Sequence, residues 1–368
     1  DLLPQLEAEP RLTREDGAEG LFLIAIGLLK KIVISDQLSL QLVDRVFENP
    51  QSFSSLEVLS GVYGYAVQIY CDFSGYTDIA IGSALLLGVR FPLNFDSPYK
   101  AHNISDFWRR WHMTLSRFLR DYLYVPLGGN RHGKVRRYLN LIITMVLGGL
   151  WHGAAWTFAV WGLLHGVYLA VNHAFQAIKP RLPRVIRRPW LAAAMSISLT
   201  YLVVVIGWVF FRAESLDAAW TLLAAMFGAN GVALPDALLI RMPAFAQAVA
   251  TAGGIRAELG GGTEFVILWS KILLLHVVVF ALPNTQQIMA RFTPALDFHA
   301  PAVRSTAGPR QKSCGEIALT QRCPRNKRLE DFMKKLIWAA LAALLVPTAA
   351  FAQEEKKEEK QEKKAEAS

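Results

Sequence analysis

The sequence predicts an all-α, polytopic integral membrane bundle that includes interfacial and re-entrant helices. Three observations carry that prediction. Of 368 residues, 53% are hydrophobic and only 19% charged, too apolar for an ordinary soluble domain of this length. Apolar runs recur at 18–35, 56–71, 73–91, 139–154, 155–175, 191–211 and 264–282, and about 20 such residues cross a bilayer. The surplus of Lys and Arg, a net charge of +9, lies in short clusters between those runs, as in RHGKVRR at 131–137 and KPRLPRVIRR at 179–188. Clusters so placed suit loops on a cytoplasmic face against anionic lipids rather than a nucleic-acid surface. Membrane lipids are therefore expected partners and nucleic acid is not.

The chain opens at Asp1 with a polar lead, DLLPQLEAEPRLTREDGAEG, and is expected to be a fragment whose amino end is missing. Several of the runs are short or contain Gly, which suits tilted, kinked or re-entrant helices. At the junction of the second and third, YCDFSGYTDIAIGSALLLG (70–88) places Asp72, Ser74, Thr77 and Asp78 at a membrane boundary. Two readings stay open there. The polar groups cap a helix that begins near Ser74, or they serve a reaction by lining a substrate path or orienting a catalytic histidine.

A helix is expected from Ser105, with Ser105 as its N-cap and Asp106 at the positive end of the dipole. Phe107, Trp111, Leu115, Phe118 and Tyr122 fall in one arc and Arg109, Arg110, Arg117 and Arg120 opposite, the pattern of a helix lying in the membrane plane. His112 sits at the border of the two faces. The following GGNRHGK is basic and glycine-rich but lacks the spacing of a nucleotide-binding loop.

The run GGLWHGAAWTFAVWGLLHG (148–166) carries His152 and His165. An ionisable group in an apolar segment is costly and defaults to a functional hypothesis. Gly148, Gly149, Gly153 and Ala154 are expected to clear space beside His152 so that backbone or substrate can approach closely, and Trp151 and Trp156 to wall it. A dry pocket of that kind keeps an imidazole uncharged and able to accept a proton. His165, 13 residues along the same run, is read as structural, and His102, His132, His173, His276 and His299 receive no catalytic role. Three cysteines, Cys71, Cys314 and Cys323, have neither metal-ligand nor disulfide-framework spacing, and no metal site is expected. No nucleophile elbow, HExxH, Cys-x-x-Cys or dinucleotide fingerprint occurs in a usable context. The economical chemistry is a histidine base without a covalent protein nucleophile.

The tail breaks the pattern. Residues 300–332 show neither helical nor strand periodicity. From Met333 the sequence has a basic start, an apolar core and an Ala350-Phe351-Ala352 site, the three parts of a secretory signal peptide. The expected divisions are 1–299 for the membrane domain, 300–332 for out-of-frame or intergenic translation, 333–352 for a signal-like helix and 353–368 for a disordered Glu/Lys-rich tail. A genuine C-terminal span with a solvated tail is the competing reading. Resequencing the DNA across 295–335 separates the two, because an intact single frame defeats the fusion.

The run DFSGYTDIAIGSALLLGVRFPLNFDSPYKAHNISDFWRRWHMTLSRFLRDYLYVPLGGNR, followed by GGLWHGAAWTFAVWGLLHG, strongly resembles the membrane-bound O-acyltransferase family. LPNTQQIM at 282–289 resembles its alginate O-acetylase branch in particular. The resemblance covers about residues 1–298 and implies a helical bundle around a tunnel, with the family's first and last helices lacking. It implies that His152, in WHG, is the catalytic residue and that His112, in FWRRWH, is the second polar residue of the tunnel. Trp151, Trp111, Arg109, Asp72, Ser74, Asp78 and Asn94 are candidates for the tunnel lining.

The implied reaction moves acetyl groups from a cytoplasmic donor toward an exported polysaccharide, in a multi-pass protein of a bacterial inner membrane. No bound cofactor is implied, since acetyl-CoA or another acyl thioester would be a substrate. Periplasmic SGNH-type acetyltransferase subunits are the implied partners, with the exopolysaccharide an indirect acceptor. His152 would take the proton of an acceptor hydroxyl, and His112 or a tryptophan N–H would stabilise the oxyanion. D-alanyl transfer toward teichoic acid and a proton-relaying transporter are the alternatives.

Overall fold

The computed structural model describes residues 3–7, 12–131, 133–181, 188–235, 255–258 and 262–290. After a short helix α1 (Leu3–Glu7), the chain enters α2 (Arg14–Leu28) through a reciprocal cap, in which the Thr13 hydroxyl accepts from the Asp16 N–H and the Asp16 carboxylate from the Thr13 N–H. The helical path then runs on through two widened, π-helical stretches, Leu29–Asp36 and Ser39–Val43, into α3 (Asp44–Glu48). The expected first span is thus one part of a longer helix. Ser54 and Glu57 cap α4 (Ser55–Leu86) in the same reciprocal way. This single helix replaces the two expected runs at 56–71 and 73–91. Asp72, Ser74, Thr77 and Asp78 therefore lie mid-helix, and the reading of them as a cap for a helix beginning near Ser74 is overturned.

Helices α2 and α4 touch backbone to backbone. A side chain at Gly27 would come within 2.6 Å of the Gly75 carbonyl oxygen, so only glycine allows this approach, as at small-residue helix interfaces in membranes. Consecutive lysines in the first π-helical stretch pair across the same interface: Lys30 Nζ lies 2.6 Å from Asp78 Oδ2 and Lys31 Nζ 2.5 Å from Asp72 Oδ1. The Lys30–Asp78 pair is the interior one, its side chains 16% and 7% exposed. Removing one partner of a buried pair leaves an uncompensated charge, at a cost of about 3–5 kcal/mol. Asp78→Ala is expected to lower the melting temperature of the detergent-solubilised protein markedly, and Lys30→Leu combined with Asp78→Leu to restore most of it. An unchanged melting temperature in Asp78→Ala would show the pair to be idle.

The stretch between α4 and the basic loop departs most from expectation. The cap is Asn103, whose side chain accepts from the Asp106 N–H, rather than Ser105; the Ser105 hydroxyl instead accepts from Asn172 Nδ2. The helix is not continuous either. It stops as α5 (Ile104–Trp108) and resumes as α6 (Met113–Leu119), with His112 between them in a left-handed conformation (φ 43°, ψ 57°). Phe107, Trp108, Trp111, Leu115 and Leu119 are buried while Phe118 and Tyr122 are exposed. A straight-helix wheel misassigned these faces because the break at His112 rotates α6 relative to α5.

Helix α7 (Gly133–His152) ends at His152 and α8 (Trp156–Ile178) returns against it, so 148–166 holds the corner between them and the separate runs at 139–154 and 155–175 fall on separate helices. Pro189 opens α9 (Pro189–Arg212) at a position where its missing N–H costs nothing. Ser215 caps α10 (Leu216–Met226). Helices α8 and α9 are long and apolar enough to cross a membrane. Helix α10 is followed by Gly228 and Gly231, both at positive φ. A two-stranded parallel pair follows, β1 (Val232–Pro235) with β2 (Ile255–Glu258), a small departure from the all-helical expectation. Helix α11 (Gly262–Ala281) packs on α4, and α12 (Thr285–Met289) closes the described chain. The core runs from α4 through α5 to α8 and α9, with Phe107, His165 and Trp208 among its most enclosed side chains. Residues 300–368 lie outside the described residues, as do His132 and His299.

Candidate active site

The two predicted histidines are delivered from different directions and lie within electrostatic reach of each other. His152 is delivered by the last turn of α7. Its ring meets Trp161 at 5.4 Å and 90°, Phe211 at 5.1 Å and 78°, Trp151 at 5.0 Å and Phe158 at 6.3 Å between centroids. His112 is delivered by the break between α5 and α6 and meets Phe73 of α4 edge-on at 4.7 Å and 88°. Burial, and after it the neighbouring His152, pull the His112 imidazole down to about 4, so it is neutral at physiological pH. Among the described residues neither ring is paired with a carboxylate.

The walls differ in part from those expected. Trp156 is 78% exposed and turns outward, whereas Trp151, although 66% exposed, keeps its ring against His152 as expected. The other enclosing rings around His152 are Trp161 and Phe158 of α8 and Phe211 of α9. Of the two expected occupants beside the glycines, backbone and substrate, Gly149 is met by backbone, that of α8. A side chain at Gly149 would strike α8 at Gly162 (3.2 Å), and one at Gly148 would meet Leu119 at 3.1 Å. Those surfaces hold helix against helix.

Of the remaining candidates, Trp111 lies in the core, parallel to Phe107 and edge-on to Phe95 at 5.0 Å. Arg109 is exposed. Asp72 and Asp78 are held by Lys31 and Lys30, while the buried Ser74 Oγ has no hydrogen-bond partner among the described residues. Asn94 lies beside His112: its Oδ1 accepts from the Thr114 hydroxyl at 2.7 Å and from the Thr114 N–H at 3.1 Å, and its carbonyl from the Met113 N–H at 3.1 Å.

His165 is fully enclosed. Its Nδ1 accepts from Trp108 Nε1 at 3.2 Å, which puts the ring proton on Nε2, packed against Gly207. The corner at 153–155 means His165 and His152 do not share a straight helix, and both reach Trp161. His276 donates from Nδ1 to the Ile272 carbonyl and so accepts from the Tyr201 hydroxyl at 2.7 Å. Sequence reasoning missed Lys30 and Lys31, although adjacent cations inside the run 18–35 signal buried carboxylate partners. It also missed Phe73, Thr114 and Phe211, which carry no local signal.

Two imidazoles within electrostatic reach, each packed against aromatic rings and neither paired with a carboxylate among the described residues, suit proton transfer, and two of the helices are long and apolar enough to cross a membrane. The chain belongs to the membrane-bound O-acyltransferase family, whose model matches residues 20–206. It is similar to a peptidoglycan O-acetyltransferase of Helicobacter pylori, 44% identical over 64% of this chain and 44% of that protein. A probable alginate O-acetylase of Azotobacter vinelandii is 45% identical over 61% of this chain and 43% of its own length. A teichoic acid D-alanyltransferase of Bacillus subtilis is 29% identical over 55% and 53%. The chain thus spans under half the length of the acetyltransferases it matches.

Proposed function

We propose that this chain carries the transfer centre of a multi-pass O-acyltransferase in a bacterial inner membrane. It moves acetyl groups from a cytoplasmic thioester, acetyl-CoA or a relative of it, toward an exported polysaccharide such as alginate. The observation that carries the reading is that His152, packed among Trp161, Phe211 and Phe158, lies within electrostatic reach of His112, which packs on Phe73. Relatives named for O-acetylation are 43–46% identical to this chain, whereas those named for D-alanylation are 29–32% identical. That difference favours acetyl transfer.

In this reading His152 removes the proton of the acceptor hydroxyl as its oxygen attacks the thioester carbonyl, and the thiol leaves. Proton transfer by a positioned base is worth about 10²–10⁴ in rate, and holding two substrates in register adds to it. The acyl thioester is a substrate rather than a resident cofactor. Periplasmic SGNH-type acetyltransferase subunits then pass the acetyl group to the polymer.

The test places the full-length protein in vesicles with labelled acetyl-CoA on the cytoplasmic face and follows the label. Transfer to an acceptor on the opposite face is expected. Proton-coupled uptake that persists without any acyl donor, and with no label transferred, would replace this reading with a transporter.

A further inference from the structure

His112 is one of two non-glycine residues among the described residues at positive φ; the other is Ser97. Side chains tolerate that conformation poorly, and it persists only where the surroundings over-determine it. Here the surroundings are Asn94 and Thr114. Asn94 accepts three hydrogen bonds from the two residues that follow His112, two at Oδ1 and one at its carbonyl. Thr114 Oγ1 in turn lies 3.5 Å from His112 Nδ1.

The direction of that contact follows from counting protons. A threonine hydroxyl has one, and at 2.7 Å it is committed to Asn94 Oδ1, which can only accept. The lone pair left on Oγ1 faces Nδ1, so the neutral ring places its proton on Nδ1. Its Nε2 then holds the lone pair. The distance is long for a bond already made, and catalytic contacts of this kind tighten when substrate arrives.

We propose that Asn94 and Thr114 are positioning residues for His112. They hold its backbone in the left-handed turn and its ring in the tautomer that offers Nε2 to the substrate as a hydrogen-bond acceptor. This rests on the acyltransferase reading and sharpens it. A neutral ring in that tautomer receives an O–H or N–H of the substrate and cannot donate to an oxyanion through Nε2. The oxyanion donor is therefore another N–H. The titratable group facing His112 is His152 of α7, while α4 contributes the uncharged Phe73.

The first measurement needs no turnover. Nitrogen-15 NMR of histidine-labelled full-length protein, with the His112 signal assigned by its loss in His112→Ala, reads the tautomer directly. A protonated Nδ1 is expected in the wild type and in Thr114→Ser, and a mixed population in Thr114→Val. A protonated Nε2 in the wild type overturns the proposal. Activity gives the second readout: kcat is expected to fall about tenfold in Thr114→Val, the scale of one lost hydrogen bond, with KM little changed and Thr114→Ser close to wild type. Asn94→Asp keeps every acceptor and adds a negative charge, so the acid limb of the pH–rate profile should move to higher pH. Equal losses in the serine and valine variants, or an unmoved acid limb, would reduce both residues to packing. A wild type that transfers no acetyl group would sink the acyltransferase reading while leaving the tautomer result standing.

Discussion

Replacing His152 by alanine in the full-length protein is expected to lower acetyl transfer by about 10²–10⁴-fold, the usual contribution of a positioned general base. The fold should survive, because the ring makes its contacts by packing and no carboxylate is left stranded when it goes: Trp161, Phe211, Phe158 and Trp151 surround it with ring edges and faces. His152→Phe separates chemistry from shape. It refills the space between those rings and supplies no proton acceptor, so it should be as inactive as the alanine variant while melting nearer to the wild type. Polymer acetylation is the assay, with membrane abundance of each variant as the control. Retained acetylation at normal abundance would remove His152 from the reaction.

Gly162→Leu is expected to be the most damaging change remote from the histidines. Any side chain at this position meets the Met145 carbonyl oxygen and would lie 2.9 Å from Val146 Cα, both backbone atoms of α7 that no rotamer change can move aside. Overpacking of this kind costs about 1–3 kcal/mol or more. The damage also spreads to the site, since a displaced α8 carries Trp161 and Phe158 away from His152. Lower thermal stability in detergent and reduced transfer should therefore appear together. Gly17→Ala is the matched control. Nothing lies within 4 Å of a side chain there, and replacing such a helical glycine by alanine is worth about 0.5–1 kcal/mol in the stabilising direction. If Gly162→Leu melts like the wild type, the close approach of α7 and α8 is wrong.

These contrasts mark how far the sequence could be read. The run expected at 191–211 falls inside α9, and a long, mostly apolar helix of that kind declares itself by length and composition alone. Motif wording is equally legible, since it marks His112 and His152 without reference to any neighbouring helix. The glycines predict close approach, by backbone or by substrate. Spacing cannot tell whether a substrate or a neighbouring helix fills the space, and at Gly149 it is α8. The helix after Asn103 was misread because a wheel assumes one continuous axis, which a single left-handed residue destroys. Nothing in the letters FWRRWHMTL announces that turn. It is imposed by Asn94, some distance back in the chain.

The sequence by itself determined that this is a helical membrane protein with two imidazoles of chemical interest, because hydrophobic run length and costly buried ionisable groups are local properties of the chain. Only the tertiary structure decided what surrounds them. Phe73, Trp161 and Phe211 come from three different helices, and Lys30 finds Asp78 across an interface closed by glycines. Such pairings depend on how separate helices are packed and turned, a long-range property that no single stretch of sequence encodes.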